Sequence, residues 1–149
     1  MIKTIDFHDN DLAKNLFELQ RASYLIEAEL INYHEIPPLK ESLNELLESN
    51  ETFLGYFERE ELAGALSYEV DGNELTICRM VVHPNHFRKG IAQSLLSFLL
   101  EDKKEFQIFK VSTGRENTPA KNLYLKNGFQ LVRDIEIVPG LIISLLEKK

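Results

Sequence analysis

Residues 79–92 read Arg-Met-Val-Val-His-Pro-Asn-His-Phe-Arg-Lys-Gly-Ile-Ala, and this stretch decides the fold. The apolar run that ends at Pro84 is typical of a strand inside a sheet. A short basic loop follows, and the apolar residues after Gly90 repeat at helical spacing. Such a strand-to-helix junction presents free backbone N–H groups and the positive end of a helix dipole to an anion. With Arg88 and Lys89 beside them, the sequence predicts a site for a phosphorylated ligand.

Strand and helix patterns alternate on both sides of this stretch. The periodicity before it predicts a short strand over residues 1–7 and a helix from Asp9 or Asn10 to about residue 31, which Pro37 and Pro38 keep from continuing. The other predicted elements are a helix over 39–49, strands over 52–58, 62–70 and 74–83, a helix after Gly90, a strand over 106–113, a helix capped by Asn117 or Thr118, and strands over 129–138 and 141–147. The element order is therefore β-α-α-β-β-β-α-β-α-β-β.

The composition points away from membranes and nucleic acids. The 149 residues suffice for one full core, and a net charge of −7 opposes a polyanionic partner. No apolar run approaches the roughly 20 residues of a membrane span, and the N-terminus lacks the apolar segment of a secretory signal. Cys78 is the only cysteine, which excludes an internal disulfide. We therefore expect a cytoplasmic protein. The excess of acidic residues either favours a cationic substrate or belongs to solvated surface without a binding role.

The basic loop has a moderately specific pattern when it is taken alone. It is not a Walker loop, because no earlier glycine stands at the required spacing, and it lacks the further glycines of a dinucleotide fingerprint. A tight turn with solvated cations is the alternative. His83 and His86 stand three apart with no third ligand in view, so we expect no metal.

Two motifs together narrow the choice. The first is Met80-x-Val82-x-Pro84 with Lys89-Gly-Ile-Ala92, and the second, about 25 residues later, is Glu116-Asn-Thr-Pro-Ala-Lys-Asn-Leu-Tyr-Leu-Lys-Asn-Gly-Phe129. The pair resembles motifs A and B of the GNAT N-acetyltransferases, and the element order matches as well. The resemblance is strong from about residue 52. The first 50 residues match only in their helix–helix pattern, and in the family this part shapes the acceptor pocket and varies most.

The resemblance implies a fold and a co-substrate. The fold is one α/β domain of the α+β type over residues 1–149, with a mixed, mostly antiparallel sheet of about seven strands flanked by about four helices. Acetyl-CoA lies where the strand at 74–83 splays from the strand at 106–113. The residues implied to bind it are Met80, Val81, Val82, Arg88, Lys89, Gly90, Ile91, Ala92 and Asn117. Asn117 is equally well explained as a helix cap.

The resemblance also implies a catalytic acid. Tyr124 matches a family tyrosine near the thioester sulfur, and a phenol with a pKa of about 10 can protonate a departing thiolate whose thiol pKa is roughly 8.5. A tyrosine that merely packs beneath the sheet is the alternative. A backbone N–H near Val82 is implied to hold the developing oxyanion. Phe87 departs from the family, which often has Gln or Arg there; Arg88 would then supply the cation, or Phe87 packs on the sheet.

The general base is left open. Thr76 and Ser112 occupy the positions where many relatives carry a glutamate. Glu27, Glu29 or Glu35 acting through water, a water chain alone, and an amine that arrives neutral are the alternatives. Strand alternation places Cys78 on the face of Met80 and Val82, which predicts a core cysteine rather than a nucleophile.

These observations predict an acetyl-CoA-dependent N-acetyltransferase that moves an acetyl group directly to a primary amine of a small molecule or peptide. The alternatives are transfer of a longer acyl group and a catalytically silent CoA-binding module. We expect neither nucleic acid nor membrane as partner, and a homodimer stays open. Acceptor choice is assigned to residues 24–40 and the closing hairpin.

Overall fold

Seven strands form one sheet in the computed structural model, which describes all residues 1–149. The strands are β1 (Ile2–Thr4), β2 (Thr52–Glu58), β3 (Glu61–Asp71), β4 (Glu74–Val82), β5 (Ile108–Gly114), β6 (Gln130–Val138) and β7 (Leu141–Lys148). Their order across the sheet is β1-β2-β3-β4-β5-β7-β6. Only β4 and β5 pair in parallel; every other neighbouring pair is antiparallel. The predicted sheet and element order are confirmed.

Five α-helices accompany the sheet: α1 (Asn10–Leu30), α2 (Pro37–Lys40), α3 (Leu43–Leu47), α4 (Ile91–Asp102) and α5 (Thr118–Lys126). None of them is both long and apolar enough to cross a bilayer. Asp9 caps α1 by accepting a hydrogen bond from the Leu12 N–H at 3.1 Å, so the first of its two predicted caps is the one used. The helix ends at Leu30, close to the predicted boundary.

The helix predicted over 39–49 is two short helices instead. Pro37 and Pro38 begin α2, where a missing N–H costs nothing, but Glu41 is extended, with ψ 134°, and the helix ends there. Ser42 then starts α3 through a capping box with Glu45, in which each side chain binds the other residue's backbone N–H. This restart accounts for five helices where about four were expected.

Helices cover both faces of the sheet and bury a core on each. The core under α4 and α5 includes Leu95, Ile77 and Leu146, and the core under α1 includes Leu16 and Val81. Ile77 and Val81 lie on the same strand but face opposite cores, although strict alternation would place them on one face. A local change in β4 must therefore separate them.

A β-bulge at Cys78 is that change. In the pairing of β3 with β4, Ser67 lies opposite Arg79 and the next residue, Tyr68, lies opposite Ile77, so Cys78 is the extra residue. The bulge reverses the alternation that the sequence predicted. Cys78 does not share a face with Met80 and is exposed, so the prediction of a core cysteine is wrong.

Candidate active site

The centre of the sheet is split open beside the bulge. β4 pairs with β5 only as far as Ile77 opposite Val111, whereas β5 continues along β7. The edge of β4 beyond Ile77 therefore faces a gap. The His83 N–H bonds the Ala63 carbonyl of β3 at 2.9 Å, so the N–H of the preceding Val82 points the opposite way, into the gap. There it donates to Ser23 Oγ of α1 at 3.4 Å.

A turn with free N–H groups adjoins the same end of β4. Arg88 and Gly90 have positive φ angles of 66° and 72°, and no side chain caps the first turn of α4. The Ser94 N–H is the first to bond back, to the Gly90 carbonyl at 2.9 Å, so the N–H groups of Ile91 to Gln93 have no partner within the helix. A Cβ at Gly90 would meet no atom within 4 Å. This open, positively polarised turn suits a phosphate group.

The two cations of this loop have different surroundings. The Lys89 ammonium is paired with Glu58 at 3.3 Å and contacts the His86 ring. Arg88 forms no salt bridge and remains available. Phe87 stays 42% exposed, so it does not pack on the sheet as one alternative held.

Helix α5 presents Tyr124 and Asn117 on the far side of the gap. The Asn117 side chain caps α5 by accepting a hydrogen bond from the Ala120 N–H at 3.3 Å. The Tyr124 ring packs against Phe129 at 5.5 Å between centroids and is 3% exposed. Its hydroxyl forms no hydrogen bond within the protein. A fully buried hydroxyl without a partner occurs only at Ser49, so the Tyr124 hydroxyl is not fully buried. The Tyr124 hydroxyl therefore reaches accessible space.

Glu27 of α1 completes this group. Burial raises the pKa of its carboxyl, and polar contacts with Asn117, the Gly114 backbone and Thr113 offset part of that effect. Burial also raises the pKa of Tyr124, and the negative charge of Glu27 raises it further.

The other two glutamates named from the sequence lie elsewhere. Glu29 is exposed on α1, and Glu35 forms an exposed pair with Lys40 at 2.9 Å. Of the three glutamates, only Glu27 carries a charge that affects the pKa of Tyr124. Thr76 and Ser112 are exposed strand residues that carry no charge.

Tyr24 is a site residue that sequence reasoning missed. It is 7% exposed, and burial, followed by the charge of Glu27, raises its pKa. Its spacing of three from Glu27 places both side chains on one face of α1, and this spacing was the available signal.

An ion-pair network around Arg79 was also missed. Its guanidinium donates to Glu41 at 2.6 and 2.9 Å, to Glu51 at 2.9 and 3.0 Å, and to the Gln20 side chain at 2.9 Å. Burial alone would lower the pKa of Arg79, but these two carboxylates outweigh it and raise the pKa. No sequence pattern marks Glu41 or Glu51 as partners, since they stand 38 and 28 residues away.

A cavity of about 540 Å³ opens beside this network, between α1, the α2–α3 segment and the bulge of β4. Tyr24, Cys78 and Arg79 line it together with Glu41 and Glu51. Burial raises the pKa of the Cys78 thiol to about 12, so the thiol stays protonated at neutral pH. Tyr24 lines this cavity, and the charge of Glu27 on the next turn of α1 raises its pKa.

Comparison with known proteins gives this arrangement a family context. Residues 13–129 match the model of the Acetyltransferase (GNAT) family. The chain is 37% identical over 144 residues to the UPF0157 protein YqkA of Bacillus subtilis, covering 97% of this chain and 42% of YqkA. It is 27% identical over 134 residues to a streptothricin acetyltransferase of Escherichia coli, covering 87% of this chain and 75% of that protein. The chain thus spans less than half the length of YqkA.

Solved structures share the fold. The PaiA N-acetyltransferase of Thermoplasma acidophilum, solved in complex with coenzyme A, superposes with a TM-score of 0.82 at 23% identity, covering 100% of this chain and 98% of that one. The ribosomal-protein-S18-alanine N-acetyltransferase of Escherichia coli gives 0.78 at 14% identity, covering 99% and 92%. The split sheet therefore occurs on a fold that is shared with enzymes of acetyl transfer.

Proposed function

The chain belongs to the acetyltransferase (GNAT) family, and we propose that it transfers an acetyl group from acetyl-CoA directly to a primary amine of a small molecule or peptide. The observation that carries this proposal is the gap between β4 and β5: the Val82 N–H points into it, and Tyr124 lies beside it with a pKa that burial and the charge of Glu27 raise. A base, an acid and a backbone donor are groups that can each lower the barrier of acyl transfer to an amine.

The residues around the gap suit acetyl-CoA. The N–H groups at the start of α4, with Arg88 beside them, would hold its pyrophosphate, and the open edge at Met80–Val82 would pair with its pantetheine arm. Bound acetyl-CoA supplies a thioester whose carbonyl carbon an amine can attack. The side-chain oxygen of Asn117 already caps α5. Its effect on ligand binding would therefore be indirect, through its influence on Glu27.

Glu27 would act as the general base. An amine attacks only when its nitrogen carries a free electron pair, so its proton must leave. Burial raises the pKa of Glu27 toward neutrality, which makes its carboxylate a better proton acceptor at working pH. Asn117, Thr113 and the Gly114 backbone lower the pKa in part, so the deprotonated form stays accessible.

Tyr124 would act as the general acid. As the new C–N bond forms and the C–S bond breaks, negative charge collects on sulfur. The Tyr124 hydroxyl gives it a proton. Burial and the nearby Glu27 keep the phenol neutral until that moment. The Val82 N–H would donate to the carbonyl oxygen while that oxygen carries charge, in place of Ser23.

Thiol release from acetyl-CoA in a panel of primary amines tests the proposal. We expect Tyr124→Phe and Glu27→Gln each to lower kcat about 100-fold, because each removes one proton-transfer group. Tyr68→Phe and Glu29→Gln are matched controls, since Tyr68 is also buried but lies on β3 and Glu29 lies on α1 outside the gap.

Two outcomes would contradict the proposal. Full-rate transfer by Tyr124→Phe at every pH would remove the acid role. Wild-type protein that binds acetyl-CoA but acetylates no amine would instead favour the silent CoA-binding module.

A further inference from the structure

The cavity beside Arg79 has an excess of negative charge. Four glutamates line it against one lysine and one arginine, an excess of two negative charges. Its volume of about 540 Å³ lies in the range of small-molecule sites, roughly 300–1,000 Å³. Burial would raise the pKa of Glu41, but its bonds with Arg79 and Gln20 lower the pKa overall, and the Lys40 ammonium lowers the pKa of Glu35, so these two carboxyls are ionised at neutral pH.

Arg79 has no capacity left for an anionic ligand. A guanidinium has five N–H donors. All five of its bonds are made inside the protein, to Glu41, Glu51 and Gln20. The arginine therefore fixes the two carboxylates in place and presents their negative charge to the cavity, rather than offering its own positive charge.

A second, independent feature points to a ligand. Tyr24 is 93% buried, as only 7% of its surface is exposed, and it lines the cavity. Its hydroxyl forms no hydrogen bond with a protein group. Ser49 Oγ is the only fully buried side-chain polar atom without a partner, so the Tyr24 hydroxyl is not fully buried. The hydroxyl therefore opens into the cavity, where a ligand nitrogen can be its hydrogen-bond partner.

Tyr24 also connects the cavity to the site of proton transfer. It stands one helical turn from Glu27 on the same face of α1, and the charge of Glu27 raises its pKa. The cavity and the proposed base therefore lie on the same side of α1, one helical turn apart. The nitrogen that reacts there must be neutral, so it cannot itself balance the charge of the cavity.

We propose that this cavity binds the acceptor, and that the acceptor is a small dicationic amine. One nitrogen stays protonated among the glutamates near Tyr24, and the other gives its proton to Glu27 and is acetylated. This inference rests on the proposed function and names the substrate class of the same site.

Calorimetric titration of the protein with CoA present tests this inference without requiring turnover. The probes are 1,5-diaminopentane and pentylamine, which differ by one ammonium group. We expect the diamine to bind at least about 10-fold more tightly at low salt, and this advantage to shrink as salt is added, because exposed charges are screened.

Two variants at the mouth of the cavity move its charge in opposite directions. Glu35→Gln removes one negative charge and should weaken diamine binding about threefold, while Lys40→Gln removes the opposing positive charge and should strengthen it about as much. Pentylamine binding should change little with either. Glu101→Gln is the matched control, since Glu101 also forms an exposed pair with a lysine but lies on α4, away from the cavity. Tyr24→Phe should weaken binding of the diamine without lowering CoA affinity.

The results separate this inference from the proposed function. Equal affinity for the two probes, or the same direction of change in Glu35→Gln and Lys40→Gln, would overturn the dicationic acceptor. Diamine binding with the expected charge dependence but no acetyl transfer would support the cavity assignment and contradict the proposed function. Transfer to both amines with no preference would support the proposed function and contradict the dicationic acceptor.

Discussion

Glu27 shows how burial and polar contacts compete over one carboxyl group. Burial favours the neutral acid, and three contacts with Asn117, Gly114 and Thr113 favour the carboxylate. Because burial has the larger effect, the pKa lies above its ordinary value although nearby polar groups favour the carboxylate. This is the combination expected of a general base, which must be both positioned and basic.

The pH dependence of kcat/KM should therefore report Glu27. The base is active when deprotonated, so activity is lost as pH falls through its pKa, and a raised pKa moves this loss to higher pH. Thr113→Val removes a contact that lowers the pKa, so its acidic limb should lie at higher pH than that of the wild type. Steady-state rates measured from pH 5 to 9 with one amine would show the shift.

A neighbouring substitution provides the control for this shift. Ser112 is exposed, and the adjacent Thr113 contacts Glu27 whereas Ser112 does not, so Ser112→Ala should leave the profile unchanged. Superimposable profiles for Thr113→Val and the wild type would mean that Glu27 does not control the acidic limb.

At the scale of elements, the start of α4 depends on one backbone conformation. Gly90 occupies the left-handed region at φ 72° and lets the chain turn from the loop into the helix, with no side chain in front of the free N–H groups. Gly72, in the β3–β4 hairpin, has nearly the same conformation, at φ 61°, and also has open space around it. The two glycines differ in what they face, not in the strain that a side chain would cause.

This pair separates folding from binding. Gly90→Ala and Gly72→Ala should each lower the free energy of unfolding by about 1 kcal/mol, because alanine is strained at positive φ and meets no clash. Only Gly90→Ala should also weaken CoA binding, since its methyl group would occupy open space at the turn where the phosphate is proposed to lie. Urea unfolding and CoA titration of both variants measure the two effects. Equal CoA affinity in both would place the phosphate elsewhere.

The sequence predicted the helices and strands far better than the local irregularities within them. Local periodicity and capping chemistry determine the bounds of β2, the cap at Asp9 and the order of the seven strands along the chain, so these features could be predicted. The restart of the helix at Ser42 was missed because its capping box competes with a continuous apolar pattern. The bulge at Cys78 was missed because an extra residue in a strand leaves no compositional mark.

Side-chain contacts between residues far apart in the sequence could not be predicted from local patterns either. Arg79 meets Glu41 and Glu51 only because α1, the α2–α3 segment and β4 pack together. Glu27 could be named from the sequence as one of several glutamates, but its selection required the placement of α1 against β5 and α5. The site is thus a property of the whole molecule, assembled on both sides of the split.

The split raises the question of whether the molecule unfolds as one unit. Only four residue pairs join β4 to β5, which alone would connect the two halves weakly. However, one buried core passes beneath the split: it contains Leu66 of β3 and Leu95 of α4 together with Tyr124 and Leu146 from the other half. Shared burial of this kind couples the halves because neither can separate without exposing apolar surface of the other.

Leu146→Ala tests this coupling. Leu146 is 1% exposed on β7, so the substitution should lower the free energy of unfolding by about 2–5 kcal/mol, whereas Leu125→Ala, at 46% exposure on α5, should change it by less than about 0.5 kcal/mol. Under native conditions, hydrogen exchange should then accelerate to the same extent in β3 and in β7, although the mutation lies only in β7. Faster exchange confined to β5–β7 would show instead that the halves unfold independently, so that the site on the split would depend on its ligand to hold the halves together.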